Sequence, residues 1–187
     1  MNGPDVEAAL WATIELLDRA QTPHMLMGAL SLGFYREGRS THDVDLQIAG
    51  DAVVLDHIKT LARDCGFSVD ELWEQYHPDV RDVQIRLGSH GVAIDVMLPR
   101  DAHDRSAFAR RRLLPEGERM IWVVSCEDLI LQKLKAGRPR DFDDVIPLFA
   151  RHRDSLDHAY VNQWALRLGV REELDYLWSE SERVRKP

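Results

Sequence analysis

Residues 27–48 read MGALSLGFYREGRSTHDVDLQI, and this stretch decides the fold that the sequence predicts. The apolar run that leads into it ends at Gly28, which indicates a buried strand followed by a sharp turn. After a spacer long enough for a short helix, polar and aliphatic residues alternate from 43 to 48, which is typical of a half-buried strand. The aliphatic side chains then point to one face of the strand, and the carboxylates of Asp43 and Asp45 point to the other.

The two aspartates favour a metal site. Residues i and i+2 of a strand lie roughly 6.5–7 Å apart at Cα and point the same way. Two carboxylates about 4 Å apart repel each other by roughly 4 kcal/mol at an effective dielectric constant near 20, and Mg²⁺, which prefers oxygen ligands, converts this repulsion into attraction.

Asp95 is the natural third carboxylate. It lies in mid-strand within an alternating segment, residues 92–98, where aspartate is disfavoured by propensity. Three carboxylates and phosphate oxygens can hold one or two Mg²⁺ ions, which activate an attacking hydroxyl and stabilise a leaving pyrophosphate. We therefore expect Asp43, Asp45 and Asp95 to be metal ligands.

The pattern alone does not identify such a site. The chain has 20 aspartates and two D-x-D patterns, at 43/45 and 141/143, which is what chance predicts. An unrelated structural domain with chance motifs therefore stays open. Gly28 is equally consistent with a phosphate-receiving turn and with an ordinary strand-to-helix glycine, and Ser31 with a phosphate donor or a helix surface.

The remaining pattern predicts an α+β protein. Alternation predicts a hairpin over 82–98 with its turn at 88–91, and a strand at 120–124, whereas residues 67–76 are ambiguous. Ser125 and Asp128 form a capping box that opens a helix ended by Gly137. Further helices are expected at 5–20, 51–64, from 139, and at about 155–168 and 171–183. Runs of helices around a hairpin-containing sheet favour this class over a doubly wound sheet.

Composition limits the function. At 187 residues we expect a core over 1–150 and a C-terminal helical appendage over 151–187. The net charge of −8 argues against broad, non-specific nucleic-acid binding. The chain has no apolar run of membrane-spanning length and no signal-peptide pattern, and Cys65 and Cys126 are far apart, so we expect free thiols, a cytoplasmic location and no membrane partner.

Basic residues cluster in QKLKAGRPRDFDD, residues 132–144. Such residues near a metal would neutralise a triphosphate, although a solvated helix end gives the same pattern. The run Arg110–Arg112 could contact an RNA or nucleotide acceptor, but an ordinary basic surface explains it better.

Gly28 through Asp45 resembles the signature of the DNA polymerase β-like nucleotidyltransferase superfamily: glycine with a small residue, a helix-sized gap and an aspartate pair. Asp95 in VAIDVML resembles that superfamily's third acidic strand residue. Residues 125–145, SCEDLILQKLKAGRPRDFDDV, resemble the second block of AbiEii/AbiGii-type toxin nucleotidyltransferases, in which a lysine on one helix precedes Arg-Asp at the start of the next. The resemblance covers about residues 24–150.

The resemblance implies a mixed, twisted sheet covered by helices, with a C-terminal helical tail. It implies Mg²⁺-dependent transfer of a nucleoside monophosphate from an NTP to a hydroxyl of RNA, tRNA or a protein, by the toxin of a toxin–antitoxin pair. The implied catalytic residues are Asp43, Asp45, Asp95, Lys133 on the triphosphate, and Asp141 or, as the alternative, Asp144. The implied nucleotide-binding residues are Gly28, Ala29, Ser31, Arg138 and Arg140.

Ala29 departs from the pattern, because the usual pair is Gly-Ser or Gly-Gly and alanine has no hydroxyl. The C-terminal tail is short, which makes an antitoxin partner or a homodimer an expectation. Two alternatives stay open: an aminoglycoside or lincosamide nucleotidyltransferase, which shares only the first motif, and a non-catalytic nucleotide- or partner-binding module.

Overall fold

A seven-stranded mixed sheet forms the centre of the computed structural model, which describes residues 3–38 and 40–185. The strands are β1 (His24–Met27), β2 (Asp43–Ile48), β3 (Ser68–Val69), β4 (Gln84–Ser89), β5 (Val92–Met97), β6 (Arg112–Glu116) and β7 (Arg119–Val123). Their order across the sheet is β3-β4-β5-β2-β1-β7-β6. The β2–β5 and β1–β7 pairs are parallel and the others are antiparallel, which confirms the predicted α+β class and mixed sheet.

Eight α-helices are present in the described residues: α1 (Val6–Arg19), α2 (Ala52–Asp64), α3 (Glu71–Tyr76), α4 (Ala102–Ala109), α5 (Cys126–Ala136), α6 (Pro139–His152), α7 (His158–Leu168) and α8 (Arg171–Arg185). Two short 3₁₀ helices occupy Leu30–Phe34 and Pro78–Val80. Within the described ranges, every helix is too short or too polar to cross a bilayer.

The hydrophobic core is continuous from the sheet to the C-terminal helices. Val44, Leu46 and Ile48 of β2 are fully buried, as the alternation predicts, and they belong to one cluster with apolar side chains of α1, α2, α5, α6, α7 and α8. Helix α6 runs across residue 150. The division into a 1–150 core and a 151–187 appendage therefore stays a prediction.

Strands β3 and β6 and helix α3 are among the elements that the sequence pattern does not predict. Strand β6 is at the edge of the sheet, and four of its five residues are exposed, so it lacks the polar–apolar alternation of a half-buried strand. It also contains Pro115, which is tolerated at sheet edges because it does not have to donate a ladder hydrogen bond.

The β4–β5 hairpin is confirmed, but its turn is shorter than the predicted four residues. His90 and Gly91 form the turn, and both have positive φ, 52° and 74°, which is the geometry of a two-residue type I′ turn. This turn places Arg86 of β4 directly opposite Asp95 of β5.

Candidate active site

Three aspartates lie side by side on neighbouring strands. β2 and β5 are parallel, and Asp45 is in register with Asp95 while Asp43 is in register with Ala93. Asp43 and Asp45 are half-buried, and Asp95 is buried with 7% exposure. The hydroxyl of Thr41 donates a hydrogen bond to Asp43. The structure thus places the three aspartates that the sequence singles out on two neighbouring strands.

Gly28 lies directly against Asp45. It follows β1 with φ +69°, and a Cβ at this position would lie 2.0 Å from Oδ2 of Asp45. Only glycine combines this backbone conformation with such an approach. The predicted turn is therefore present, and it brings the Gly28 backbone into the carboxylate site.

The two small residues that follow Gly28 in the motif, Ala29 and Ser31, are both buried. The Ser31 hydroxyl is fully buried and donates to the Gly28 carbonyl at 2.8 Å. Ala29 is 7% exposed. In this structure neither side chain faces the cleft, so a phosphate-binding role for Ser31 or Ala29 stays a prediction.

The carboxylate of Asp45 has no hydrogen-bond or ion-pair partner among the described residues. Burial, together with the negative charges of Asp43 and Asp95, raises its pKa to about 7, against the lowering effect of Lys133 and Arg138. An oxygen-rich centre that lacks counter-charge fits a divalent cation such as Mg²⁺. Asp43 and Asp45 are the residues that fit this ion.

Asp95 forms a salt bridge with Arg86. Nε and Nη2 of Arg86 donate to Oδ1 and Oδ2 of Asp95 at 2.8 and 2.7 Å. The strand aspartates do not bring three ligand atoms within 4.8 Å of one another; in the described part of the chain Asp101, His103 and Asp104 do. There Lys135 already binds both carboxylates.

A second charged cluster joins α5 to α6. Nζ of Lys133 donates to Asp141 at 2.8 Å and to Asp144 at 2.9 Å. Arg138 donates to Asp141 at 2.7 Å, and Arg36 donates to Asp144. Burial alone would raise the pKa of Asp141, but the hydrogen bonds from Lys133 and Arg138 outweigh it, and the pKa is lowered.

The local sequence explains this second cluster. Ser125 accepts from the Asp128 N–H and caps α5, and Gly137 ends it in the left-handed conformation, as predicted. The chain then reverses into α6, so that Lys133 and Asp141 face each other. Arg36 was missed by sequence reasoning, because it lies after the first 3₁₀ helix and carries no local signal.

A cleft of about 510 Å³ connects the two clusters. Its lining includes Gly28, Asp45, Asp95, Lys133, Arg138 and Asp141, together with Gln84, Arg100, Gln132 and Lys135. Arg140 is exposed and is absent from this lining, so its role in binding the nucleotide stays a prediction. Another cavity, of about 440 Å³, lies between α1 and the β6–β7 hairpin and contains none of the predicted site residues.

The basic run at 110–112 is largely packed against aromatic rings. Arg110 lies 3.8 Å from the ring centroid of Tyr160, and Arg111 lies 4.4 Å from that of Phe108 and 4.7 Å from that of Trp122. These cation–π contacts give the first two arginines structural roles.

No family model matches the chain, and no curated protein matches its sequence. Solved structures do match. A lincosamide adenylyltransferase, LnuA, in its lincomycin-bound form is 15% identical with a TM-score of 0.56, and the match covers 79% of this chain and 98% of that one. ANT(2″)-Ia in complex with adenylyl-2″-tobramycin is 15% identical with a TM-score of 0.58, covering 88% and 97%.

The chain has the nucleotidyltransferase fold. An antigenic nucleotidyltransferase-like protein from Paracoccidioides brasiliensis matches over 91% of both chains, at 16% identity and a TM-score of 0.55. At these identities the likeness concerns the fold, and the resemblance to AbiEii/AbiGii-type toxins stays a prediction.

Proposed function

We propose that this protein is a metal-dependent enzyme that transfers a nucleoside monophosphate from an NTP to an acceptor hydroxyl. One observation carries the proposal: the carboxylate of Asp45, next to that of Asp43, has no ion-pair partner among the described residues, and it lines a cleft together with the cationic side chains of Lys133 and Arg138. A metal-bound triphosphate has the charges that such a cleft complements.

Asp43 and Asp45 would hold Mg²⁺, with Asp95 as the third carboxylate of the site. A bound Mg²⁺ ion supplies charge neutralisation at the phosphates and activation of the attacking hydroxyl. The turn at Gly28 brings backbone close to Asp45, where it can approach a phosphate without a side chain in between.

The second cluster would orient the triphosphate. Three cations, Arg36, Lys133 and Arg138, share the carboxylates of Asp141 and Asp144, which leaves one positive charge among these groups. Because Lys133 is held at both carboxylates, its position is fixed before the substrate binds, which is the arrangement that favours electrostatic stabilisation of a transition state. The side chain of Arg138 is 66% exposed and accessible to phosphate oxygens.

In the proposed reaction the acceptor oxygen attacks the α-phosphorus of the NTP and forms a new P–O bond. The bond from this phosphorus to the α–β bridging oxygen breaks, and pyrophosphate leaves with the electron pair. The proton of the acceptor hydroxyl passes to a carboxylate of the site or to solvent.

For the acceptor we propose RNA, tRNA or a protein, in a toxin of the AbiEii/AbiGii type that acts with an antitoxin partner or as a homodimer. The support is the block at 125–145, which resembles those toxins and folds into two helices that pair Lys133 with Asp141.

A small antibiotic is the second candidate acceptor. It is supported by the fold shared with LnuA and ANT(2″)-Ia over 98% and 97% of their chains.

The test is transfer of label from each α-³²P-labelled NTP, with Mg²⁺, to tRNA, to a protein extract, to lincomycin or to tobramycin. We expect labelling of one acceptor class by the wild type, loss of at least about a hundredfold in Asp43→Ala, and full activity in Arg63→Gln, whose ion pair with Glu71 is exposed. Equal labelling by wild type and Asp43→Ala would refute the proposal. Mg²⁺-dependent NTP binding without pyrophosphate release would support a non-catalytic binding module instead.

A further inference from the structure

Arg86, the partner of Asp95, has no role in the reaction described above. The two residues lie opposite each other in the β4–β5 ladder, so the backbone register itself brings them together. Both oxygens of Asp95 accept a hydrogen bond from the guanidinium, at 2.8 and 2.7 Å. A bidentate pair of this kind uses the oxygens that a metal ion would need.

The guanidinium of Arg86 also stacks on an aromatic ring. Cζ of Arg86 lies 4.5 Å from the centroid of the Trp73 ring, and that ring stacks on His77 with a centroid distance of 4.5 Å. The side chain of Arg86 is 31% exposed and that of Asp95 is 10% exposed. Because an arginine fork loses little freedom when it binds a carboxylate and stacks on an aromatic face, the pair is pre-organised.

The charges divide the three strand aspartates into two groups. Asp95 is neutralised by Arg86, whereas Asp43 and Asp45 together carry two negative charges when ionised. One divalent cation balances this remainder, and a second ion would have to compete with a guanidinium that cannot lose its charge.

We propose that Arg86 is a built-in cation in the place of a second metal ion, so that the site binds one divalent ion, at Asp43 and Asp45. This inference rests on the proposed function, because it assumes that these aspartates bind metal. Arg86 is then a positioning residue, and Asp95 becomes a metal ligand only when the guanidinium leaves it.

The number of bound ions tests the inference directly. The complete chain is titrated with Mn²⁺ alone, and free Mn²⁺ is counted by electron paramagnetic resonance. We expect Arg86→Gln to bind one more ion per chain than the wild type, and the double variant Arg86→Gln/Asp95→Asn to lose that additional ion. Arg63→Gln, which removes an exposed arginine–carboxylate pair elsewhere, should bind the same number as the wild type. Ions at Asp101, His103 and Asp104 would add equally to every variant and would not affect these differences.

Trp73→Leu is the second variant, since it keeps the charge of Arg86 and removes the aromatic face. It should also admit the additional ion, at higher Mn²⁺ concentration than Arg86→Gln. Equal ion numbers in wild type, Arg86→Gln and Trp73→Leu, with one ion lost in Asp43→Asn, would overturn this inference and leave the proposed function standing. The absence of any ion that depends on Asp43 would overturn both.

Discussion

Asp45 is half-buried and Asp128 is fully buried, yet the pKa values of their carboxyl groups are shifted in opposite directions. Asp128 is fully buried at the first turn of α5, where it accepts hydrogen bonds from Ser125 and Tyr160, each at 2.6 Å, and lies 3.2 Å from Nε2 of His103. Burial alone would raise its pKa, but these partners outweigh burial and lower it.

Asp45 has no such partners among the described residues, and its pKa is raised to about 7 by burial and by the neighbouring carboxylates. Donors of the chain itself satisfy Asp128, whereas Asp45 has no donor among the described residues, which fits the cation proposed for it. The comparison teaches that partners, more than burial, separate a structural aspartate from a candidate ligand-binding aspartate.

Removing the completed carboxylate should have the largest effect on stability. Asp128→Ala leaves the buried groups of His103, Tyr160 and Ser125 without their shared acceptor, and we expect a loss of roughly 3–5 kcal/mol in the free energy of unfolding. Urea unfolding at pH 7 measures it. The near-isosteric Asp128→Asn should lose less, and a loss below about 1 kcal/mol in Asp128→Ala would show that this network does not stabilise the fold.

Gly28→Ala tests the backbone that allows Asp45 its position. The new Cβ would meet the Asp45 carboxylate in a left-handed backbone conformation, so we expect a loss of about 1–3 kcal/mol in stability and a weaker affinity for Mg²⁺. Gly33→Ala is the matched control, because a Cβ there has no atom within 4 Å. Chemical unfolding and calorimetric titration measure the two effects, and equal behaviour of the two variants would contradict this role of Gly28.

The sequence predicted those features that depend on local pattern. The alternation in β2, the Ser125 cap and the Gly137 helix end are all set by residues within a few positions of one another. The placement of Asp43, Asp45 and Asp95 on strands also followed from the alternation.

Other features depend on contacts that no local pattern records. A four-residue turn at 88–91 would place Gln84 opposite Asp95, whereas the observed two-residue turn places Arg86 there. The contact of Arg36 with Asp144 joins residues 108 positions apart. Strand β6 is defined by its pairing with β7, because its own residues do not alternate between buried and exposed and so give no strand pattern.

Asp45→Asn should raise stability in the absence of metal, the opposite sign to Asp128→Ala. The folded-state pKa near 7 lies above the ordinary value of 3.8, so the folded protein holds this proton more tightly. The stability that this bound proton gives to the folded state is present in full below about pH 4 and is lost as the pH rises through about 7. A pKa raised this far would correspond to about 4 kcal/mol in full burial, and solvent screening of the partly exposed group reduces it. At pH 8 we therefore expect Asp45→Asn to gain at least about 1 kcal/mol over the wild type, and at pH 5 the difference should shrink. Urea unfolding at both pH values, with chelator present, measures this; an unchanged difference would contradict the raised pKa.

The central claim is that the carboxylates around Asp45 await a divalent cation. The most direct test is the change in thermal unfolding temperature caused by Mg²⁺ at pH 8, in the wild type and in Asp45→Asn. We predict that Mg²⁺ raises the unfolding temperature of the wild type and that this rise disappears in Asp45→Asn, because the variant keeps only one of the two carboxylates proposed to hold the ion. Equal shifts in the two proteins, or no shift in the wild type, would contradict the claim.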